Sequence, residues 1–423
     1  MGEAGIGKAI RSLVLNEKEN EHRVLCLEGS QKRGEIEKCI GGGIVVLEKP
    51  SRAETEQEIV SSDLVVIHWW DYPPMAEFLA HFSQVFCRII LWCHVSGCTY
   101  PFLPYDFLDL FHKILFTSPY SYENQEWSIE EQQKIKEKSA VVYGLSDIET
   151  DYVKKDYKIA PTEFVLAYVG TFTRSKIHPE FINVCKEIVD RIPSSMFLMI
   201  GEDGRADWLK EQALVCGIEN HFIWTGFIDH VYKKLQESDV FFYPLNPFHF
   251  GTTENVILEA MAVGVPIVMM NQATEKYIIQ DGKSGLLAKD KYQLVAHVCS
   301  LYQKGELRKE LGSCARREFL LRYQISDNVV RFCEIASSCM QLPKRQYNFT
   351  PVMGTKPFDW FIKYVRKEDK FYFVENDKKG IEGLQAIYKE KTKSSIVHFH
   401  SYFPEDKKLC QLKKTICSHE GIE

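Results

Sequence analysis

Residues 251–287 read GTTENVILEAMAVGVPIVMMNQATEKYIIQDGKSGLL, and the fold turns on how this stretch is parsed. Gly251, Thr252 and Thr253 form a small polar loop. A helix-forming run from Glu254 to Val263 follows, Gly264 stops it, and Val265 to Met270 is a short apolar strand bounded by turn residues. A loop of this kind entering a helix presents unpaired backbone N–H groups at the positive end of the helix dipole, which suits a phosphate. Glu259, deeper in the same helix, is placed to accept hydrogen bonds from a sugar diol. An ordinary loop–helix–strand unit of an α/β sheet has the same periodicity, so pattern alone leaves both readings open.

The pattern continues upstream. Phe164 to Val169 is an apolar run closed by Gly170, and a polar loop from Thr171 to Lys176 leads into a helix over 179–191. Further strands are predicted at 195–201, closed by Glu202, at 221–226 and at 239–244, with a helix over 207–216 between the first two. Such β-α-β alternation over about 150 residues predicts a parallel sheet wrapped by helices. Ligands of such sheets bind beyond the carboxyl ends of the strands, where Gly170, Lys176, Glu202, Thr253 and Glu259 all fall. The N-terminal half repeats the theme more weakly, with strands at 22–27, 43–47, 63–68, 88–94, 113–118 and 140–144.

Composition narrows the class. A chain of 423 residues is long enough for two domains with large cores. A formal charge of −6 argues against nucleic acid as the main partner. The 13 cysteines include no CxxC pair and no signal peptide is evident, so a reducing cytoplasm without disulfides is expected. No run approaches the ~20 apolar residues of a membrane span, which leaves room only for peripheral contact with a membrane.

The wording of 251–287 resembles the nucleotide-sugar-binding segment of the retaining glycosyltransferases of family four. The matches are Leu258-Glu259-Ala260-Met261-Ala262, Gly264, Pro266, Glu275, Ile278, Asp281-Gly282 and Gly285-Leu286-Leu287. The resemblance implies an α/β protein of the GT-B fold, two Rossmann-like domains with parallel sheets facing a central cleft. It implies an N-terminal acceptor-side domain over 1–158, a nucleotide-sugar-binding domain over 159–325, a helix over 326–342 crossing back to the first domain, and an extra tail over 343–423. The implied reaction moves a sugar from a nucleotide diphosphate sugar to a hydroxyl of a carbohydrate, lipid-linked or other acceptor, with retention of configuration and no metal or other cofactor. Polysaccharide, glycolipid or glycoconjugate synthesis is the expected setting.

The same resemblance distributes roles. Gly170 and Lys176, six residues apart, belong to the pattern that grips the diphosphate, with Thr171 where arginine is common and Arg174 as the source of the second charge. Gly251, Thr252, Thr253 and Asn255 border the phosphates, Glu202 lies at a strand end of the donor site, and Glu259 holds the ribose. The family usually has a second glutamate eight residues before Glu259. That position is Gly251 here, which leaves Glu254 or backbone amides to hold the sugar. "ILWCHVSG" resembles the strand whose terminal histidine, His94, faces the donor sugar, so His94 and Glu254 are the catalytic candidates. His68 ends a similar strand. Taken singly, Lys176 is equally a solvated loop lysine and each histidine a satisfied strand-end residue. A sugar-nucleotide epimerase and a non-catalytic GT-B-like scaffold remain the rival functions.

Both ends of the chain depart from the pattern. The N-terminus begins at what reads as the glycine-rich loop (Gly2, Gly5, Gly7) with the family's first strand absent, so the chain is either truncated or completes its sheet differently. The near miss to GxxxxGK lacks the hydroxyl at Ala9 and a preceding strand, which excludes a nucleotide triphosphatase. In the tail, 371–374 reads as a strand and 381–393 as a helix. Residues 395–404 echo the strand-then-histidine of 64–73, as though a partial α/β unit began there. The tail's His398, His400, Cys410, Cys417 and His419 match no zinc spacing.

Overall fold

A computed structural model describes residues 5–29, 33–144, 147–154, 163–202, 204, 206–228, 231–390 and 393–417. Gly2, Asp203, His419 and the expected boundary at 158/159 lie outside them. The chain divides into two compact units. The first comprises Met1–Ser146, Phe250–Thr253 and Ile325–Glu423, and the second Asp147–His249 and Glu254–Gln324.

Among the described residues the first unit holds six strands, β1 (Arg23–Cys26), β2 (Val45–Glu48), β3 (Val65–Trp69), β4 (Ile89–Cys93), β5 (Lys113–Phe116) and β6 (Ser139–Val141), with helices between them. Every pairing is parallel, yet the strands make two sheets, β1-β2 and β3-β4-β5-β6. β4 reads IILWC, with all five residues buried. Such a run belongs to a parallel strand covered by helices on both faces.

The second unit holds β7 (Phe164–Val169), β8 (Ser195–Ile200), β9 (Phe222–Gly226), β10 (Val240–Tyr243), β11 (Ile267–Met270) and β12 (Leu286–Ala288). They form one parallel sheet in the order β12-β11-β10-β7-β8-β9, with the first strand in the middle. The order reverses at β7, the kind of switch point beside which ligands bind in open α/β sheets. The stretch that opened the reading folds as parsed. Glu254 precedes the helix Asn255–Val263 at the N-cap position, without a side-chain capping bond, and Gly264 ends the helix at φ +82°. A side chain is strained at that angle, and the N–H groups of Gly264 and Val265 satisfy the Ala260 carbonyl. In Asp281–Leu287, the Asp281 carboxylate accepts the Leu287 N–H at 2.9 Å while Gly282 turns at φ +73°, so this part of the pattern is a built turn.

Three sequence expectations are corrected. Gly5 and Gly7 lie in the helix Gly5–Asn16, not in a loop. Residues 371–374 fall in the helix Lys370–Val374. Residues 396–402 are also helical, because Ser395 caps that segment by accepting the His398 N–H. Among the described residues, the tail holds helices and no strand that would begin a second α/β unit. The tail is also part of a core. Trp360, Phe361, Tyr364, Tyr388 and Phe399 are buried in one cluster with Trp69, Tyr100 and Phe107. The helix Ile325–Met340 packs Phe332 onto Trp92 in the same unit, with ring centroids 5.7 Å apart.

Candidate active site

In the second unit the loop after β7 turns back so that Lys176 meets the start of the helix Asn255–Val263. Its Nζ lies 2.7 Å from both carboxylate oxygens of Glu254. Tyr243, the last residue of β10, donates its hydroxyl to Glu254 Oε2 at 2.9 Å. His249 Nδ1 is 3.9 Å from the other oxygen, and its Nε2 is 2.9 Å from Glu275. Burial alone would push the Glu254 carboxyl up. Lys176, His249 and Tyr243 outweigh that and hold it below the usual range, so Glu254 is a carboxylate at neutral pH. The site is therefore a buried, charge-balanced cluster at a helix N-terminus, where the dipole is positive.

Two acceptors in this cluster are left over. Asn255 Oδ1 and Glu275 Oε2 are buried without a hydrogen-bond partner among the described residues. Such atoms carry a full desolvation cost unless a ligand or water satisfies them. Glu259 is buried one turn further along the helix. Its charge is felt by Tyr232, whose hydroxyl burial pushes up. The Arg174 guanidinium lies 4.6 Å from the centre of the Trp208 ring, and the Arg174 carbonyl accepts from Asn246. Gly170 closes β7, and its carbonyl stands only 2.0 Å from where a side chain on Gly201 would begin. Both glycines thus permit a close backbone approach at the strand ends, and Glu202 follows immediately.

The remaining predicted residues belong to the first unit. Thr252 and Thr253 hydrogen-bond Thr117, and Thr253 also accepts the Gly144 N–H at 3.0 Å. Gly251 beside them is buried. His94 follows β4, with its Nε2 2.8 Å from His68 Nδ1 and the two rings stacked. Burial lowers the His94 imidazole well below its ordinary value, helped by His68, and burial lowers His68 to about 4. Both are neutral at pH 7, so one ring donates and the other accepts. The folded chain thus gathers Gly170, Arg174, Lys176, Glu202, Glu254, Asn255 and Glu259 in the second unit, and His94, Gly251, Thr252 and Thr253 in the first. Sequence reasoning missed Tyr243 and His249 and gave Glu275 no role, although Glu275 stood in the quoted pattern.

Residues 149–318 match the family described as glycosyl transferases group 1. This segment is similar to a glycosyl transferases group 1 domain. Curated relatives agree over part of their length. The N-acetyl-alpha-D-glucosaminyl L-malate synthase of Bacillus anthracis is 25% identical over 180 residues, 42% of this chain and 46% of that protein. The 2-deoxystreptamine N-acetyl-D-glucosaminyltransferase of Niallia circulans is 28% identical over 122 residues, 28% of this chain and 31% of that protein. The chain spans no more than about half the length of these relatives. Among solved structures, Anabaena HepE in complex with UDP and glucose superposes with a TM-score of 0.62 at 15% identity, covering 79% of this chain and 96% of that one. A glycosyltransferase from Rickettsia africae gives 0.60 at 12% identity, covering 80% and 96%. At such identities the likeness is one of fold: the chain has the GT-B fold, with two Rossmann-like units.

Proposed function

We propose that this protein moves a sugar from a nucleotide diphosphate sugar to an acceptor hydroxyl with retention of anomeric configuration, in polysaccharide, glycolipid or glycoconjugate synthesis. The second unit holds the donor and the first holds the acceptor. The observation that carries this reading is the buried Lys176–Glu254–Tyr243 cluster at the helix N-terminus, with Asn255 Oδ1 unsatisfied beside it. Negative charge builds on the leaving diphosphate as the glycosidic bond to phosphate breaks. The helix N-terminus, Lys176 and Arg174 stabilise that charge, and Gly170 lets backbone approach it. Glu259 holds the ribose. Within the second unit Glu254 addresses the sugar, and the leaving phosphate oxygen takes the acceptor proton. On this reading no metal is needed.

A second reading has one specific observation in its favour. The Lys176 ammonium is already neutralised by Glu254, which suits a protein that binds a nucleotide without turnover. An epimerase acting on the free sugar nucleotide would use the same residues. A thermal-shift panel of sugar nucleotides, followed by product analysis by NMR with and without EDTA, separates the three. Transfer to an acceptor with the donor's anomeric configuration, undiminished by EDTA, supports the proposal. Binding without turnover, or isomerisation of the free donor, replaces it. Loss of transfer on chelation with rescue by Mn²⁺ removes the metal-free mechanism.

A further inference from the structure

The loop that follows β3 is held in an unusual shape by the tail. Asp71 stands at φ +56° and Ser394 at φ +68°, both in the left-handed region that side chains rarely adopt. The two residues meet. Ser394 Oγ lies 3.2 and 3.0 Å from the carbonyls of Trp70 and Asp71, and the buried Tyr100 hydroxyl donates to the Ser394 carbonyl at 2.5 Å. Backbone of this kind persists where the surroundings over-determine it, and it gathers at functional sites. What the clamp positions is a group of aromatic rings. Trp70 and Tyr72 stack with centroids 4.7 Å apart, and His398 of the helix Ile396–Tyr402 lies nearly parallel to Trp70 at 6.2 Å. Tyr402 meets Tyr72 edge-on at 5.9 Å, and the Lys393 ammonium is 4.7 Å from the Trp70 ring centre. These residues line the end of a cavity past the last residue of β3, on the ligand side of an open α/β sheet.

The polar edges of the group donate. The Ser394 N–H donates to His398 Nδ1 at 3.0 Å, which leaves the imidazole proton on Nε2. Burial and the nearby Lys393 lower the His398 imidazole to about 4, so the ring is neutral at pH 7. His398 Nε2–H, the Trp70 indole N–H and the Tyr72 hydroxyl have no hydrogen-bond partner among the described residues. The Tyr402 hydroxyl is occupied, donating to Glu28 at 3.0 Å. We propose that this group is the acceptor subsite and that it takes a saccharide, held by Trp70, Tyr72 and His398. The inference rests on the glycosyl-transfer reading. A pyranose has apolar C–H faces and a rim of hydroxyl oxygens. Aromatic rings match the first, and N–H and O–H donors match the second. An acyl chain in the same place would leave three donors desolvated and unpaired, at the full cost of each. The tail therefore takes part in choosing the acceptor, by supplying His398 and by clamping the turn that presents Trp70 and Tyr72.

The probe is a printed array of neutral and acidic oligosaccharides, with phosphatidylglycerol and denatured casein as the other surfaces, overlaid with the full chain. Saturable capture by at least one saccharide is expected. The double variant Trp70→Phe/Tyr72→Phe keeps both rings and removes two donors. It should bind the captured saccharide about tenfold or more weakly while far-ultraviolet dichroism stays unchanged. Amide exchange on the unaltered chain is the second readout and decides alone should the variant fail to fold. The saccharide should slow exchange by at least about threefold at 70–72 and 394–402. No saccharide capture, capture by the lipid or casein alone, undiminished affinity in the variant, or protection confined to the second unit would each overturn the proposal. Calorimetry of the unaltered chain with UDP, GDP and ADP tests the glycosyl-transfer reading separately. Saccharide capture without any nucleotide binding would overturn that reading and leave the saccharide site standing.

Discussion

Lys176 and Glu254 offer the most exacting test, because Glu254→Gln should lower stability while raising ligand affinity, whereas Lys176→Met should lower both. Their side chains are 12% and 9% exposed, and the charges are 2.7 Å apart. At an effective dielectric of about 20, the attraction is about 332/(20 × 2.7), roughly 6 kcal/mol. Desolvation of each ion costs several kcal/mol, so the intact pair contributes little net. Removing one partner is different, since the survivor remains buried without compensation. Lys176→Met and Glu254→Gln should each destabilise by about 3–5 kcal/mol, and the double variant by clearly less than the sum. Urea denaturation of the four proteins, with amide exchange in β7 and β10 to locate the effect, measures this. Calorimetry with a nucleotide diphosphate then supplies the opposite sign. Glu254→Gln releases the Lys176 ammonium and should tighten binding by about tenfold or more, whereas Lys176→Met should weaken it, a charge-assisted contact being worth about 1.5–3 kcal/mol. A Lys176→Met protein within about 0.5 kcal/mol of wild type would show that the pair is solvated, and unchanged nucleotide affinity in both variants would remove Lys176 from the donor site.

Acid should destabilise the first unit through His68 and His94. Both have folded values below the ordinary 6.5, so the unfolded chain binds more protons, and their contribution is complete above pH 6.5 and is lost as pH falls towards about 4. The slope is at most about 1.4 kcal/mol per pH unit per group, read as the difference between wild type and a His68→Asn/His94→Asn variant; equal slopes would mean that the pair is hydrated. Phe361 is fully buried among Tyr100, Phe373 and Phe399, so Phe361→Ala should cost about 3–5 kcal/mol, and truncation at 343 should unfold the first unit while the second keeps its amide protection. A cooperative first unit in that truncation would show the tail to be an appendage. Glu259→Ala should raise the donor KM without changing the affinity for a 2′,3′-dideoxy donor. An equal loss for both donors would place the ribose elsewhere.

Every strand predicted in the second unit is present, because each is an apolar run between turn residues, and the central ones are buried on both faces of a parallel sheet. The helix start at Glu254, its stop at Gly264 and the loop of Lys176 were legible for the same reason: caps, turns and helix ends are chosen by local chemistry. The tail was misread where local pattern is ambiguous. Phe371 to Val374 suits a strand by composition, but Phe373 reaches the core from a helix. The cap at Ser395 was the available signal for the helix at 396–402. Other features lay beyond any local pattern. Glu254 is 78 residues from Lys176, and only the packing of β7 against β10 closes that distance. Lys176, Tyr243 and His249, brought together by packing, then keep the buried Glu254 ionised, and burial keeps His68 and His94 neutral. The sequence by itself determined the elements of the second unit and the likeness of residues 149–318 to the glycosyl transferases group 1. The tertiary structure decided which charges meet and how they are held, because both depend on distance and dielectric rather than on neighbours along the chain.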